Sequence, residues 1–312
     1  MRVRSPLLIL ASAALVVSAV TLGMGLAAKS TQAATVVLLP TNGQFDYQIG
    51  GAYTPLTSVS IVDRDRSASP VAGKYSICYV NAFQTQPDEA SFWTSGHSNL
   101  LVKRANGTNL TDPDWPGEFI LDTSTAAKRS SIATIVNGWI DGCKAKGFQA
   151  IEPDNLDSWT RSLSHLSQTN NVALAKLLAT HAHSIGLAIA QKNTPQLGSI
   201  GKTLVGFDFA IAEECQVYAE CGSYTRPYGN RVIEIEYTDT ARSAFTKSCS
   251  ARGKNIPVIL RDRNVVAEGQ SAYHYEYCLR PTMAALVAQS FRHSTSSEAA
   301  FRSRPSGLRP SK

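Results

Sequence analysis

Three carboxylates fall within six residues of one another at the end of a short apolar segment. Glu152, Asp154 and Asp157 follow Ile151, and Pro153 lies among them, where it stiffens the chain. Carboxylates crowded in this way repel one another, which tends to raise the pKa of at least one of them. Acid/base or nucleophilic chemistry on a polar substrate needs such an arrangement. An acidic loop that caps the following helix is the alternative from this segment alone.

The elements that must position these carboxylates form a regular alternation. We predict strands at residues 45–50, 75–82, 118–122, 150–151, 187–191, 207–212, 232–237 and 256–260. Amphipathic helices are predicted at residues 130–146, 171–185 and 238–252, each followed by a glycine. Eight strands alternating with helices over about 245 residues are typical of a single-domain (β/α)8 barrel, a TIM barrel of the α/β class. An open doubly wound sheet is the alternative, but no glycine-rich nucleotide-binding motif supports it.

All eight predicted strands end in polar or aromatic residues of the kinds that contact sugars. In a (β/α)8 barrel these ends meet at the mouth, where catalysis takes place. The candidate residues are Asp46, Gln48, Tyr79, Asn81, Asp122, Glu152, Asp154, Asn155, Asp157, Lys192, Asn193, Glu213, Glu214, Tyr218, Glu236, Tyr237, Arg261 and Asp262. Tyr79, Trp115, Tyr218 and Tyr237 are candidates to stack on sugar faces, with packing in the core as the alternative. A mouth rich in carboxylates predicts a glycosidase, which needs two carboxyl groups flanking the scissile bond.

Seven segments of the chain resemble glycoside hydrolase family 114, the endo-α-1,4-polygalactosaminidases. They are FDYQIGGAYTP (45–55), CYVNAF (78–83), DWPGEFILD (114–122), GFQAIEPDNLDSW (147–159), GLAIAQKN (186–193), FDFAIAEECQVYAEC (207–221) and EIEYTD (234–239). The resemblance implies a (β/α)8 barrel that hydrolyses α-1,4-linked galactosamine polymers. It implies a catalytic pair formed by Asp154 and by the glutamate of the sixth strand, which we place at Glu213, with Glu214 as the alternative.

We predict that Asp154 acts as the nucleophile and Glu213 as the acid/base of a retaining mechanism. The other sixteen candidates are predicted to bind the substrate, a polysaccharide that contains galactosamine. No cofactor is predicted, and no metal, because no cysteine or histidine spacing fits a zinc site. Two alternatives stay open: a barrel that binds amino-sugar polymers without cleaving them, and a glycosidase that acts on a different glycan.

The first 34 residues have the pattern of a secretory signal peptide. Arg2 and Arg4 precede an apolar stretch, and small residues near Ala34 fit a cleavage site. An uncleaved membrane anchor is the alternative. We therefore predict a secreted, extracellular protein with no membrane contact after cleavage. Its glycoside hydrolase domain is predicted at residues 35–293 and a polar, disordered tail at residues 294–312.

The formal net charge of +6 comes from the two ends of the chain rather than from the predicted domain. The basic residues of these ends are Arg2, Arg4, Lys29, Arg302, Arg304, Arg309 and Lys312, against one acidic residue, Glu298. The domain between them is close to neutral, so the charge does not indicate binding to nucleic acid. We expect no nucleic-acid partner and a monomer.

Six cysteines after a signal peptide predict disulfide bonds, because the number is even and the compartment is oxidising. The spacing favours a short loop closed by the third and fourth cysteines and a second bond between the last two. The expected pairs are Cys215–Cys221, Cys249–Cys278 and Cys78–Cys143, one among the many pairings that six cysteines allow.

Overall fold

One sheet of nine strands forms the centre of the protein. The structure is a computed structural model that describes residues 34–41 and 43–278. Its strands are β1 (Phe45–Gln48), β2 (Ile61–Asp65), β3 (Tyr75–Asn81), β4 (Ala150–Asp154), β5 (Ala188–Lys192), β6 (Phe209–Glu213), β7 (Val232–Tyr237), β8 (Val258–Arg261) and β9 (Tyr275–Tyr277). They lie in the sheet in chain order. Strands β1 to β8 pair in parallel, and β9 pairs antiparallel with β8. Contacts between β1 and β8 nearly close the sheet into a barrel.

Helices connect most of the strands and cover the outside of the barrel. They are α1 (Ala90–Gly96), α2 (Ala126–Lys146), α3 (Gln168–Ser184), α4 (Gly222–Tyr228) and α5 (Arg242–Arg252). Helix α2 begins after Thr125, whose side chain accepts a hydrogen bond from the backbone of Lys128, and ends at Gly147 in the left-handed conformation. None of the helices in the described part of the chain is both long and apolar enough to cross a membrane.

Alternate residues of each strand point into the barrel, as the two-residue repeat of a strand requires. Tyr47, Ile61 and Ile77 belong to the buried apolar cluster inside the barrel. Val80 and Ile151 instead belong to the cluster between the sheet and the helices. Near the carboxyl ends of the strands the buried residues become polar. The barrel interior therefore changes from apolar to charged toward its mouth.

The predicted single-domain (β/α)8 barrel is confirmed, although one of its predicted strands is wrong and one of its actual strands was not predicted. The second strand of the barrel is β2, which the sequence analysis missed because Asp63, Arg64 and Asp65 interrupt its apolar pattern. The segment at residues 118–122 does not belong to the barrel. It lies in the long connection between β3 and α2, where it forms isolated bridges with Gln84, Leu101 and Thr111. There Ile120 packs in a small apolar cluster that also includes Leu166 from the connection after β4, while Leu121 belongs to the main core, and this burial explains the strand-like pattern.

The terminal predictions fall largely outside the described residues. The predicted signal peptide at residues 1–34 lies there apart from Ala34, and so does the predicted tail at residues 294–312. The last part of the predicted domain, residues 279–293, also lies outside. These boundaries stay predictions.

The three predicted disulfide bonds are all present. They join Cys78 to Cys143, Cys215 to Cys221 and Cys249 to Cys278. The first bond ties β3 to α2, the second closes a short loop after β6, and the third connects α5 to the residue after β9. The paired cysteines are separated by 65, 6 and 29 positions in the sequence.

Removal of the Cys78–Cys143 bond is expected to destabilise the protein more than removal of the Cys215–Cys221 bond. Replacing both cysteines of each pair by alanine should lower the free energy of unfolding by about 4 and about 2 kcal/mol respectively, because the longer loop restricts the unfolded chain more. Urea unfolding curves of the two double variants measure the difference. A thiol assay on denatured, unreduced wild type, expected to find no free thiol, is the control. Equal losses would contradict the expectation.

Candidate active site

A cleft of about 350 Å³ opens at the carboxyl ends of the barrel strands. This is the end at which (β/α)8 barrels carry out their chemistry. Strands β4, β5 and β6 end in Asp154, Lys192 and Glu213, and all three side chains line the cleft. Three neighbouring strands thus deliver two carboxylates and one ammonium group to the same place.

The chain turns sharply just after each of these strand ends. Asn155, Asn193 and Glu214 all have left-handed backbones, with φ of 61°, 44° and 55°. Asparagine tolerates this conformation, whereas glutamate adopts it rarely, so the turn after β6 is the more strained one. Strained turns of this kind cluster at active sites, where the surrounding structure holds them in place.

Lys192 lies between the two carboxylates that the sequence predicts to be catalytic. Its Nζ is 3.2 Å from Oδ1 of Asp154 and 3.4 Å from Oε2 of Glu213. These two oxygens therefore cannot be farther apart than the sum of the two distances, about 6.6 Å. The side chain of Lys192 is only 2% exposed, and Nζ also donates a 2.7 Å hydrogen bond to Oε1 of Glu152 beneath it. The pKa of Lys192 is raised well above its ordinary value, because the nearby carboxylates outweigh the effect of burial.

Asp154 is held as an anion. The hydroxyl of Tyr79 donates a 2.8 Å hydrogen bond to its Oδ2, and the backbone NH of Asn155 donates one of 2.8 Å to its Oδ1. Burial alone would raise the pKa of Asp154, but the charge of Lys192 and these hydrogen bonds lower it below the ordinary value. At neutral pH Asp154 is therefore ionised and fixed in orientation.

Glu213 is held by an equivalent set of donors. The hydroxyl of Tyr237 donates to its Oε1, and Nδ2 of Asn193 donates a 2.7 Å hydrogen bond to its Oε2. The side-chain oxygen of Asn193 also accepts a 2.8 Å hydrogen bond from the backbone NH of Glu213. Asn193 thus forms hydrogen bonds with both the backbone and the carboxylate of Glu213, which fixes the orientation of the Glu213 side chain in the cleft.

The adjacent Glu214 faces a different group. Its two carboxylate oxygens accept hydrogen bonds of 2.9 and 2.8 Å from the guanidinium of Arg263. Arg263 also pairs with Asp239 at 2.9 Å and lies over the ring of Tyr237, 4.1 Å from its centre. Of the two neighbouring glutamates, Glu213 lines the cleft, while Glu214 is engaged in a bidentate ion pair beside it.

Eight of the eighteen predicted site residues line the cleft. They are Tyr79, Asp154, Asn155, Asp157, Lys192, Asn193, Glu213 and Tyr237. Glu152 and Asn81 are buried behind this lining and contact it. Glu152 accepts the hydrogen bond from Lys192. Asn81 accepts a 3.0 Å hydrogen bond from Nδ2 of Asn155.

Four of the predicted residues lie instead in a buried network where β8 approaches β1. They are Asp46, Gln48, Arg261 and Asp262. The hydroxyl of Tyr53 connects them, because it donates to Asp46 at 2.6 Å and accepts a 2.9 Å hydrogen bond from Arg261. These side chains do not line the cleft. Their contacts indicate a role in closing the barrel.

The remaining four predicted residues do not line the cleft. Asp122 pairs with Lys128 at the start of α2. Glu236 is buried and accepts a hydrogen bond from the backbone NH of Gln216. Tyr218 lies on the loop closed by Cys215 and Cys221 and is 65% exposed. Glu214, described above, lies beside the cleft.

Several residues that line the cleft were not predicted from the sequence. Among them are Gln86, Glu118, Arg161 and Arg263, whereas Trp115 was predicted as an aromatic that stacks on sugars. Arg161 lies seven positions after the end of β4 and Arg263 two positions after the end of β8, so neither was included among the polar strand ends. The sequence did contain one indication that Glu118 belongs to the site, because it lies three residues after the candidate sugar-stacking Trp115 in the segment DWPGEF.

The cations of the lining already have acidic partners. Arg161 pairs with Asp112 and, at 3.1 Å, with Asp157, while Lys192 and Arg263 have the partners given above. Glu118 differs, because none of the ion pairs among the described residues includes it. Its Oε2 accepts a 3.0 Å hydrogen bond from Nδ2 of Asn81. Burial, opposed by that hydrogen bond and helped by the charge of Asp154, raises the pKa of Glu118 to about 7.

One group of potential metal ligands occurs among the described residues outside the cleft. It consists of Cys215, Cys221 and Glu234. The two sulfurs are joined in a disulfide bond, so they cannot bind a metal as thiolates. This group is therefore not a candidate metal site.

Comparison with solved structures finds a protein with a similar fold. The crystal structure of Aspergillus fumigatus Ega3 in complex with galactosamine is 23% identical and superposes with a TM-score of 0.62. The match covers 79% of this chain and 99% of that chain. The glycoside hydrolase domain of PelA from Pseudomonas aeruginosa matches more weakly, with 13% identity and a TM-score of 0.49 over 73% of this chain and 97% of that chain.

Comparison by sequence identifies the family. No curated protein matches the chain. The profile of glycoside-hydrolase family GH114 matches residues 26–282, which include all of the strands and helices described above. The match thus spans the whole barrel, including the segments that carry the cleft carboxylates. The chain therefore belongs to glycoside hydrolase family GH114, and the protein is a glycoside hydrolase.

Proposed function

We propose that the protein is a secreted endo-glycosidase that hydrolyses α-1,4-linked galactosamine polymers with retention of configuration. Asp154 is the nucleophile and Glu213 the acid/base. The observation that carries the proposal is the placement of these two carboxylates in the cleft on either side of Lys192, with Oδ1 of Asp154 and Oε2 of Glu213 at most about 6.6 Å apart.

This spacing supports a retaining mechanism. Retaining glycosidases hold their two carboxyl groups about 5–5.5 Å apart, whereas inverting enzymes need about 6.5–9.5 Å to admit a water molecule. The upper limit set by Lys192 holds for the two oxygens that contact it, and for these oxygens it includes the whole of the first range and only the lower edge of the second. The lowered pKa of Asp154 also suits a nucleophile, which must be ionised when the substrate binds.

The reaction takes place in two steps. In the first, a carboxylate oxygen of Asp154 attacks the anomeric carbon while the bond to the leaving oxygen breaks, and Glu213 gives its proton to that oxygen. In the second, Glu213 takes a proton from a water molecule, whose oxygen displaces Asp154 from the anomeric carbon. The sugar leaves with its original configuration, and both carboxyl groups return to their starting state.

The charge of the cleft supports a cationic substrate. The cations of the lining already have carboxylate partners, so Glu118, once ionised above its pKa of about 7, adds a negative charge that an amino sugar can neutralise. Trp115 lines the same cleft and is 49% exposed, which makes its ring available for stacking on a sugar. The choice of galactosamine follows the family resemblance, and Ega3 was solved with this sugar.

The three disulfide bonds support an extracellular location, because such bonds persist in oxidising compartments. Together with the signal-peptide pattern of residues 1–34, they lead us to propose secretion.

Incubation of the mature protein with partly deacetylated galactosaminogalactan tests the proposal. Mass spectrometry is expected to find short galactosamine oligomers that accumulate with time. Retention of the oligomers without release of shorter products would support a binding protein instead. Cleavage of another glycan, with this polymer left intact, would show that the sugar is wrong while the glycosidase mechanism stands.

Glu118→Gln is expected to reduce kcat/KM for galactosamine oligomers by about tenfold or more, because it removes a charged partner of the sugar ammonium group. N-acetylated oligomers carry no such charge, so any cleavage of them should change little. Initial rates on the two substrates, compared above and below the pKa of about 7, give the ratio of kcat/KM values, and its change should be largest on the alkaline side, where Glu118 is ionised. The substitution conserves shape and leaves an acceptor for Asn81.

Asp157→Asn is the matched control for this prediction. Asp157 also lines the cleft, but Arg161 already neutralises its charge. Asp157→Asn should therefore change kcat/KM for the charged and for the N-acetylated substrate by similar factors. Equal loss of activity on both substrates in Glu118→Gln would contradict a role in charge selection.

A further inference from the structure

Asp63 is a buried carboxyl group that the proposed mechanism leaves without a role. It lies on β2 and is fully buried, and neither of its oxygens has a hydrogen-bond partner among the described residues. In the sheet it pairs with Tyr47 on one side and Ile77 on the other. Both neighbours point into the barrel, so Asp63 does as well. An ionised carboxylate without donors is strongly disfavoured in such a place.

Glu152 also has a carboxylate oxygen without a hydrogen-bond donor. Its Oε1 accepts hydrogen bonds from the hydroxyl of Tyr47 at 2.9 Å and from Nζ of Lys192 at 2.7 Å. Its Oε2 is buried and has no donor in the described part of the chain. Tyr47, the sheet neighbour of Asp63, makes the hydrogen bond to Glu152, so the carboxyl groups of Asp63 and Glu152 lie close together inside the barrel. One proton between them satisfies both groups, because a protonated carboxyl donates an O–H bond.

The proton belongs on Asp63. Glu152 already accepts a hydrogen bond from an ammonium group, which favours its charged form. Asp63 has no such donor. Burial, followed by the charge of Glu152, raises the pKa of Asp63 well above its ordinary value, and the more distant Lys192 does not offset this.

We infer that Asp63 is a positioning residue, which remains a neutral carboxylic acid and donates a hydrogen bond to Glu152. Glu152 in turn holds Lys192 between Asp154 and Glu213. Ionised Asp63 would add a fourth carboxylate around one ammonium group that already contacts three. The neutral acid orients Glu152 without changing this balance of charge. The role of Asp63 in catalysis rests on the proposed function.

Two substitutions distinguish a neutral donor from a charged group. Asp63→Asn keeps the shape and supplies an amide NH in place of the O–H, so kcat should stay within about twofold of wild type. Asp63→Ala removes the donor and should lower kcat by roughly tenfold, with KM unchanged. The alkaline limb of its pH–rate profile should also move to lower pH. Loss of the donor loosens Glu152 and leaves Lys192 free to lie closer to Glu213, and a positive charge closer to an acid favours its ionised form.

Val62→Ala controls for lost packing on the same strand. Val62 is buried on the opposite face of β2, so its truncation should lower stability without moving the pH–rate profile. An Asp63→Asn variant as impaired as Asp63→Ala would overturn the neutral-acid assignment. Wild-type kcat and an unchanged profile in both variants would overturn the positioning role.

Infrared spectroscopy tests the protonation state without any substrate, so its result is independent of the proposed glycosidase activity. At alkaline pH, where ordinary carboxyl groups are ionised, wild type is expected to keep one protonated-carboxyl band. That band should be absent from Asp63→Asn. Its absence from folded wild type, or its persistence in Asp63→Asn, would refute the inference even if every activity variant failed to fold.

Discussion

Asp154→Asn is expected to lower kcat on galactosamine oligomers by on the order of 10⁴-fold or more, the effect of removing a nucleophile. The amide has nearly the same volume as the carboxylate and can keep a hydrogen bond to Tyr79, so the cleft should stay intact. Oligomer binding should therefore survive the substitution. Initial rates give the loss of activity, and isothermal titration calorimetry gives the dissociation constant.

Asp141→Asn is the control for this experiment. It makes the same chemical change on the exposed surface of α2, where Asp141 pairs with His181. Its activity should equal that of wild type. Turnover by Asp154→Asn at a rate close to wild type would show that another group is the nucleophile.

Glu213→Gln is expected to reduce hydrolysis of natural oligomers by about 10²–10⁴-fold, the usual contribution of a general acid. Substrates with an activated leaving group need little protonation, so their first step should be affected much less. The comparison of the two substrate types therefore separates loss of the acid from general damage to the cleft. Steady-state and burst kinetics on both types provide the measurement.

Glu214→Gln tests the assignment within the adjacent pair. Glu214 is engaged with Arg263 beside the cleft, so its replacement should cause a smaller loss that does not depend on the leaving group. If Glu214→Gln were the damaging change and Glu213→Gln were tolerated, the acid would be the other glutamate. If neither these changes nor Asp154→Asn affected hydrolysis, the mechanism would be wrong.

The barrel could be predicted from the sequence because most of its strands are apolar runs followed by amphipathic helices. Strand β2 escaped prediction for a physical reason. Two of its three charged residues, Asp63 and Arg64, are placed by tertiary contacts that no local pattern reveals. Arg64 is fixed by a 2.9 Å hydrogen bond to Gln48 of the neighbouring strand. The strand-like pattern at residues 118–122 instead reflects burial within the long connection after β3, where Ile120 packs in a small apolar cluster.

The centre of the cleft was also predictable, but its surroundings were not. Asp154, Lys192 and Glu213 end three well-defined strands, and the fold alone brings such ends together. Arg261 is likewise a polar residue at a strand end, and Asp46 is a polar residue within β1. They are buried where β8 approaches β1, which depends on how the barrel closes. Glu118 joins the cleft through a long connection whose path depends on tertiary packing.

The mass of the Glu213→Gln variant after reaction with an activated α-galactosaminide tests the central claim most directly. Activated substrate can form the glycosyl-enzyme without an acid, whereas its hydrolysis is slow without a base, so the intermediate should accumulate. Peptide mapping is expected to place one added sugar on the peptide that contains Asp154, and Asp154→Asn should show none. A sugar attached to a different residue, or turnover to product of inverted configuration without any adduct, would contradict Asp154 as the nucleophile of a retaining enzyme.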